Sequence, residues 1–151
     1  MAAGNVTLFY RSLPKLLTGI HDLDTHTIKA ALTTSTQALT ADFAGTSTDC
    51  RYADLTNQVA NGNGYTTGGV TLSMTVTRST GTVTVDSTVD PSWTSATFTA
   101  KYLVIYNDTA TNKDLLAYVD LDTGGGSVSV TAGTFQVPIA AGGLFTLAQT
   151  S

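Results

Sequence analysis

The stretch "VTLSMTVT", from Val70 to Thr77, alternates without a break. Val70, Leu72, Met74 and Val76 fall on one side, and Thr71, Ser73, Thr75 and Thr77 fall on the other. A period of two over eight residues predicts one strand with a covered face and an open face. "TVTVDS" repeats the pattern with Val83 and Val85, and the short Gly-containing connection at Ser79–Gly81 makes the pair a hairpin. The run from Gly62 to Val85 holds no histidine and no carboxylate, and Arg78 is its only charge. The best-ordered part of the chain therefore offers architecture and no titrating group.

The rest of the chain continues in this style. "TIKAALTT" (Thr27–Thr34) alternates Ile28, Ala30 and Leu32. "ATFTAKYLVIYND" (Ala96–Asp108) reads as the longest strand, with Phe98, Ala100, Tyr102, Val104 and Tyr106 on one face. Leu103 and Ile105 make its other face apolar, which predicts a central position covered on both sides. "LLAYVDL" (Leu115–Leu121), "GGGSVSVTAG" (Gly124–Gly133), "TFQVPI" (Thr134–Ile139) and "LFTLAQT" (Leu144–Thr150) follow as further strands. Pro138 cannot donate to a ladder and marks an edge or a strand end. "VDPSW" (Val89–Trp93) reads as a turn, Ser35–Gly45 as a loop, and "CRYADLTNQVA" (Cys50–Ala60) as a helical turn running into extended chain. Roughly eight short strands at intervals of about 8–12 residues predict an all-β, antiparallel β-sandwich.

The N-terminus departs from the pattern. "SLPKLLTG" (Ser12–Gly19) predicts a short helix, with Ser12 as N-cap, Pro14 in the first turn and Gly19 as the stop. Leu13, Leu16 and Leu17 would share its face. Residues 1–19 thus read as an N-terminal helix or arm on one domain spanning residues 1–151, a length that can bury a full core. Arg11, Pro14 and Lys15 interrupt the apolar start, so no signal-peptide core is expected, and no stretch is long enough for a membrane helix. A chain made in the cytoplasm follows.

Charge narrows the function classes. Charged residues make up 12% of the chain and hydrophobic ones 42%, against about 25% charged in ordinary soluble domains. The net charge is −4, and the seven Lys and Arg are scattered rather than clustered, which argues against nucleic acid as a partner. A hydroxyl-rich surface poor in charge suits a protein packed against other proteins.

Motifs for chemistry are thin. Cys50 stands alone, without a disulfide partner or a neighbouring histidine, and reads as a small apolar residue. His21 and His26 bracket Asp22 and Asp24, but the spacing His-x-x-x-x-His is not that of two ligands on one helix face. These residues read as a turn. "DLDTG" (Asp120–Gly124) resembles an aspartic-protease loop in one copy only, and a dyad needs two. The runs "GNG" and "GGG" precede strands rather than helices and are not phosphate cradles. Tyr65, Tyr102, Tyr106, Tyr118 and Trp93 could form a sugar platform, although Tyr102 and Tyr106 sit on an inward pattern. No catalytic residue, metal or cofactor is expected.

Taken together, "SLPKLLTGIHDLDTHTIKAALTT", "GNGYTTGGVTL", "PSWTSATFTAKYLVIYND" and "LLAYVDL" resemble a family of small tailed-bacteriophage virion proteins, the capsid decoration or cement proteins. The resemblance runs from about Leu13 to Phe145. It implies a sandwich of jelly-roll-like or immunoglobulin-like type on the outer surface of the virion head, non-enzymatic, with the major capsid protein and further copies of itself (a dimer or trimer) as partners. It supplies no functional residues. From the sequence, Phe9, Tyr10, Leu13, Leu16, Leu17 and Trp93 are the candidate protein-interface residues. The alternative reading is a head-fibre or tail-associated module that binds host-surface carbohydrate.

Overall fold

The computed structural model describes residues 4–45 and 49–149. Residues 1–3 of the expected arm and Thr150 of the expected last strand lie outside the described residues. The chain is all-β and antiparallel, with one short α-helix, and its layout is sandwich-like. Ten strands are described: β1 (Thr7–Leu8), β2 (Ile28–Thr33), β3 (Val70–Thr71), β4 (Met74–Ser79), β5 (Thr82–Ser87), β6 (Ser92–Ala100), β7 (Tyr102–Asn107), β8 (Leu115–Asp120), β9 (Val128–Gln136) and β10 (Phe145–Ala148). They form a five-stranded sheet in the order β1-β8-β7-β2-β3, a three-stranded sheet β10-β5-β4 and the pair β6-β9.

One apolar core joins the three. Ile28, Ala30, Leu32, Leu103 and Ile105 of the five-stranded sheet meet Val85 of the second sheet and Trp93, Phe135 and Val128 of the pair. The opposite face of the five-stranded sheet is covered too. There Ala31, Val104, Tyr106 and Leu115 pack under Phe9, Leu39, Cys50 and Leu55. β2 and β7 are therefore buried on both sides, which explains their near-continuous apolar sequences.

Two expected strands are each split between sheets. Val70–Thr77 is β3 and the first part of β4, separated at Leu72–Ser73. β3 pairs with β2 and β4 with β5, so the chain steps from one sheet to another while keeping its alternation. Ala96–Asp108 breaks at Lys101 and begins earlier, at Ser92. The break inverts the phase. Phe98 and Ala100 pack into the joint core, but beyond Lys101 it is Leu103 and Ile105 that do so. Tyr102, Val104 and Tyr106 turn to the other side. The lysine at the break is 5% exposed. Its Nζ donates to Asp120 Oδ1 at 2.7 Å and to the Asp122 carbonyl at 2.6 Å, so its charge is paired as the backbone crosses.

The reverse happens in β9, where Gly124–Gly133 and Thr134–Ile139 contribute to one nine-residue strand. Inward Val128 and Val130 and inward Phe135 differ in parity, which two bulges reconcile. Between Trp93↔Phe135 and Ala96↔Gly133 the extra residue is on β6, and between Ala96↔Gly133 and Phe98↔Val130 it is on β9. Ser95 (φ 51°) and Ala132 (φ 48°) take the left-handed conformation at these points.

The N-terminal segment lies against the sheet. β1 adds to β8, a 3-10 turn covers Tyr10–Ser12, and α1 spans Leu13–Leu17. The chain leaves the helix at Gly19, whose φ of +76° suits glycine.

Candidate interaction surface

Which face α1 buries is decided by three polar and apolar anchors. Ser12, fully buried, donates its hydroxyl to the Phe9 carbonyl at 2.7 Å and the Leu116 carbonyl at 3.0 Å. It tethers the helix to β8 rather than capping it. Lys15 Nζ donates to Asp49 Oδ1 at 2.6 Å and to Asp114 Oδ1. The two carboxylates hold Lys15 above the ordinary lysine value, against the burial that would lower it. Leu16 packs on the joint core. Positions 12, 15 and 16 share one helix face, so Leu13 and Leu17 share the opposite one.

The expected Leu13/Leu16/Leu17 face is thus divided. Leu17 is 87% exposed and Leu13 41%, with Tyr10 at 61% and Ile20 at 42% beside them in sequence. Phe9 and Trp93 are corrected as interface candidates. Phe9 is wholly buried, its ring 5.2 Å from Tyr118 and 6.1 Å from Phe43. Trp93 lies on β6 rather than in a turn, is 3% exposed, and packs among Tyr65, Phe98 and Phe135. Tyr65 is buried as well, its hydroxyl accepting from the Leu32 amide at 3.0 Å. A sugar platform built on Trp93 and Tyr65 is therefore turned inward.

The sequence reading missed the other half of the apolar surface. On the three-stranded sheet, register places Val76, Val85 and Phe145 in one row and Arg78, Val83 and Leu147 in the next. Val85 is in the core, whereas Val76 is 41% and Leu147 48% exposed. The sheet's apolar face runs past the core it covers. Leu16 and Leu17 stand over it, leaving a shallow groove lined by Leu17, Val76, Val83, Phe145 and Leu147. Threonines (Thr77, Thr84, Thr146) occupy the other face of the same sheet. Alternation signals which face is apolar but not how far along a strand the core extends, so Val76 looked like a core residue.

The titratable groups form a different, structural cluster. Asn107 Nδ2 donates to the Ile20 carbonyl at 3.0 Å and to His26 Nδ1 at 2.9 Å, and its Oδ1 accepts from the Thr109 and Ala110 amides. His21, 3% exposed, lies against the same amide. Burial pushes His21 down to about 4, with Asp114 opposing and Lys15 and His26 reinforcing the shift. Asp22 accepts from the Asp24 and Thr25 amides and the Thr25 hydroxyl, closing the 21–27 turn. Cys50 is buried, and burial raises its thiol to about 11, so at neutral pH it is not a thiolate nucleophile. Asp120 pairs with Lys101, and Asp122 accepts from Gly124 in the glycine turn. These hydrogen bonds fasten loops to strands. Among the described residues no group of three His, Cys, Asp or Glu side chains is placed to hold a metal.

No protein-family model, curated protein or solved structure matches the chain.

Proposed function

We propose that this chain is a non-enzymatic bacteriophage decoration protein, which binds the outer surface of the head and stabilises contacts between major capsid proteins. The observation that carries the reading is the outward Leu13–Leu17 face of α1, held rigidly by Ser12 and Lys15. Exposed leucines on a tethered helix gain from burial against a partner without paying to order the helix first. A surface with 12% charged residues keeps the desolvation cost of such a contact low. The resemblance of the sequence to decoration proteins supplies the partner class. On this reading the protein needs no cofactor and touches neither nucleic acid nor membrane. The carbohydrate-binding reading is weaker because Trp93 and Tyr65 face the core.

The test is binding of the purified protein to heads assembled from the major capsid protein alone. Wild type binds in stoichiometric copies and raises the temperature at which heads release their contents. Leu17→Asp, at an 87% exposed position, leaves the fold intact and weakens binding tenfold or more, since a buried leucine contributes about 1.5–3 kcal/mol. Undiminished binding by Leu17→Asp, together with adhesion of the free protein to host cells, would overturn the reading.

A further inference from the structure

A carboxamide nitrogen has two hydrogens to give, and at Asn107 three acceptors converge on it. Asn107 ends β7 and is wholly buried. Its Oδ1 accepts from the Thr109 and Ala110 amides, both at 3.1 Å, which fixes which side of the group is nitrogen. Nδ2 donates to the Ile20 carbonyl at 3.0 Å and to His26 Nδ1 at 2.9 Å. His21 Nδ1 stands 3.5 Å from the same nitrogen. A donor facing Nδ1 requires a lone pair there, so His26 is the neutral ring with its proton on Nε2.

We infer that Asn107, His21 and His26 form a proton-operated latch, which fastens the 21–27 turn to the end of β7 at neutral pH and releases it in acid. Protonation puts an N–H on Nδ1 of each ring, pointed at the N–H bonds of Asn107. The carboxamide cannot answer by rotating, because Oδ1 would leave two backbone amides and Nδ2 the Ile20 carbonyl. The turn then loses its side-chain fastening. Leu23 in the core and the bonds of Thr27 to Asp108 and Thr109 remain as its pivot.

The carboxylates nearby are committed elsewhere. Lys15, on α1, repels a charged His21, as does His26, while Asp114 attracts it. Asp114 and Asp49 are already taken by the Lys15 ammonium. Asp22 faces His26 from within the turn, but its oxygens accept from the Asp24 and Thr25 amides and the Thr25 hydroxyl. Asp24 is exposed to solvent. Asp108, next to Asn107, is held by Lys29 and Lys113. Among the described residues neither ring has an ion pair. His21, Asp22, Leu23 and Asp24 also border the groove beside Leu17. Acid would therefore loosen the attachment surface, a consequence that rests on the capsid reading, whereas the latch itself does not.

The test is nuclear magnetic resonance of the free protein at about pH 7.5 and about pH 5.5, on either side of the ordinary imidazole value. At the higher pH the ring nitrogen shifts show His26 protonated on Nε2 alone. At the lower pH the Asn107 side-chain hydrogens and the His21 and His26 amides lose at least about tenfold of their protection against exchange, corrected for intrinsic rates, since an imidazole freed by opening favours the open form about tenfold for each pH unit. The amides of β2 and β7 stay better protected than the turn at both pH values. Joining His21→Gln to His26→Gln cancels the fall, because a glutamine oxygen accepts from Asn107 without titrating. A proton on His26 Nδ1 at the higher pH, turn protection indifferent to pH, turn amides that exchange at the rate of β2 and β7, or a double variant that keeps the full fall would each overturn the proposal.

Discussion

His21 shows how a residue that looks like a ligand can be a structural liability. It is buried without charge, and its Nε2 has no hydrogen-bond partner among the described residues. Its folded value of about 4 lies below the ordinary 6.5. As pH falls below 6.5 the unfolded chain takes up the proton first, so stability drops between pH 6.5 and 4 and levels off below both values. The shift corresponds to about 3 kcal/mol at full development. His21→Gln should flatten that part of the profile, with urea midpoints at pH 7 and pH 4.5 as the measurement. A wild-type midpoint that does not move between those pH values would show that His21 is not held neutral. Phe9 and Leu17 make the same point about apolar residues. They lie eight positions apart, yet one is wholly buried and the other 87% exposed. Neither fate is written in the residue type.

At the scale of elements, the strands were legible and their ends were not. Alternation located the apolar face of Val70–Val76, and apolar residues on both faces located the double burial of β7, whereas β2 read as covered on one side and is buried on both. Alternation could not register the crossing at Leu72–Ser73, because the phase is continuous there. At Lys101 the phase does invert, and a lone lysine among Ala100, Tyr102 and Leu103 was the visible sign of a break. β1 was invisible, since a two-residue strand has no period. The helix was legible as a helix, but its outward face was not. The leucine spacing put Leu13, Leu16 and Leu17 on one face together, whereas Leu16 joined Ser12 and Lys15 on the buried side, fixed by contacts with Leu116, Asp49 and Asp114. Such partners are distant in sequence and carry no local signal. The β4–β5 hairpin keeps one local conflict. Its two-residue connection puts β-branched Thr80 at φ 49° and Gly81 at φ 136°, both positive as primed hairpin turns require. Thr80→Asn should therefore raise stability by about 0.5–1 kcal/mol, read as a higher melting temperature. A lower melting temperature would mean that Thr80 makes a compensating contact.

At the scale of the molecule, the exposed apolar residues of α1 and of the three-stranded sheet adjoin one another. The α1 face with Leu13 and Leu17 is apolar and carried by a helix pinned to the sheet. Leu17 also borders the groove over the three-stranded sheet, with Val76, Val83, Phe145 and Leu147. On the proposed reading this surface attaches the protein to a shell. The partly buried polar network of Asn107, His21, His26, Lys15 and Asp114 holds the neighbouring loops in place. On the proposed reading the protein works through what it touches. The most direct measurement is a density map of heads decorated with the protein, resolved well enough to count copies and orient each one. The account predicts stoichiometric copies across the outer surface, with α1 facing the major capsid protein. A few copies confined to the tail, or copies whose α1 faces solvent, would contradict it.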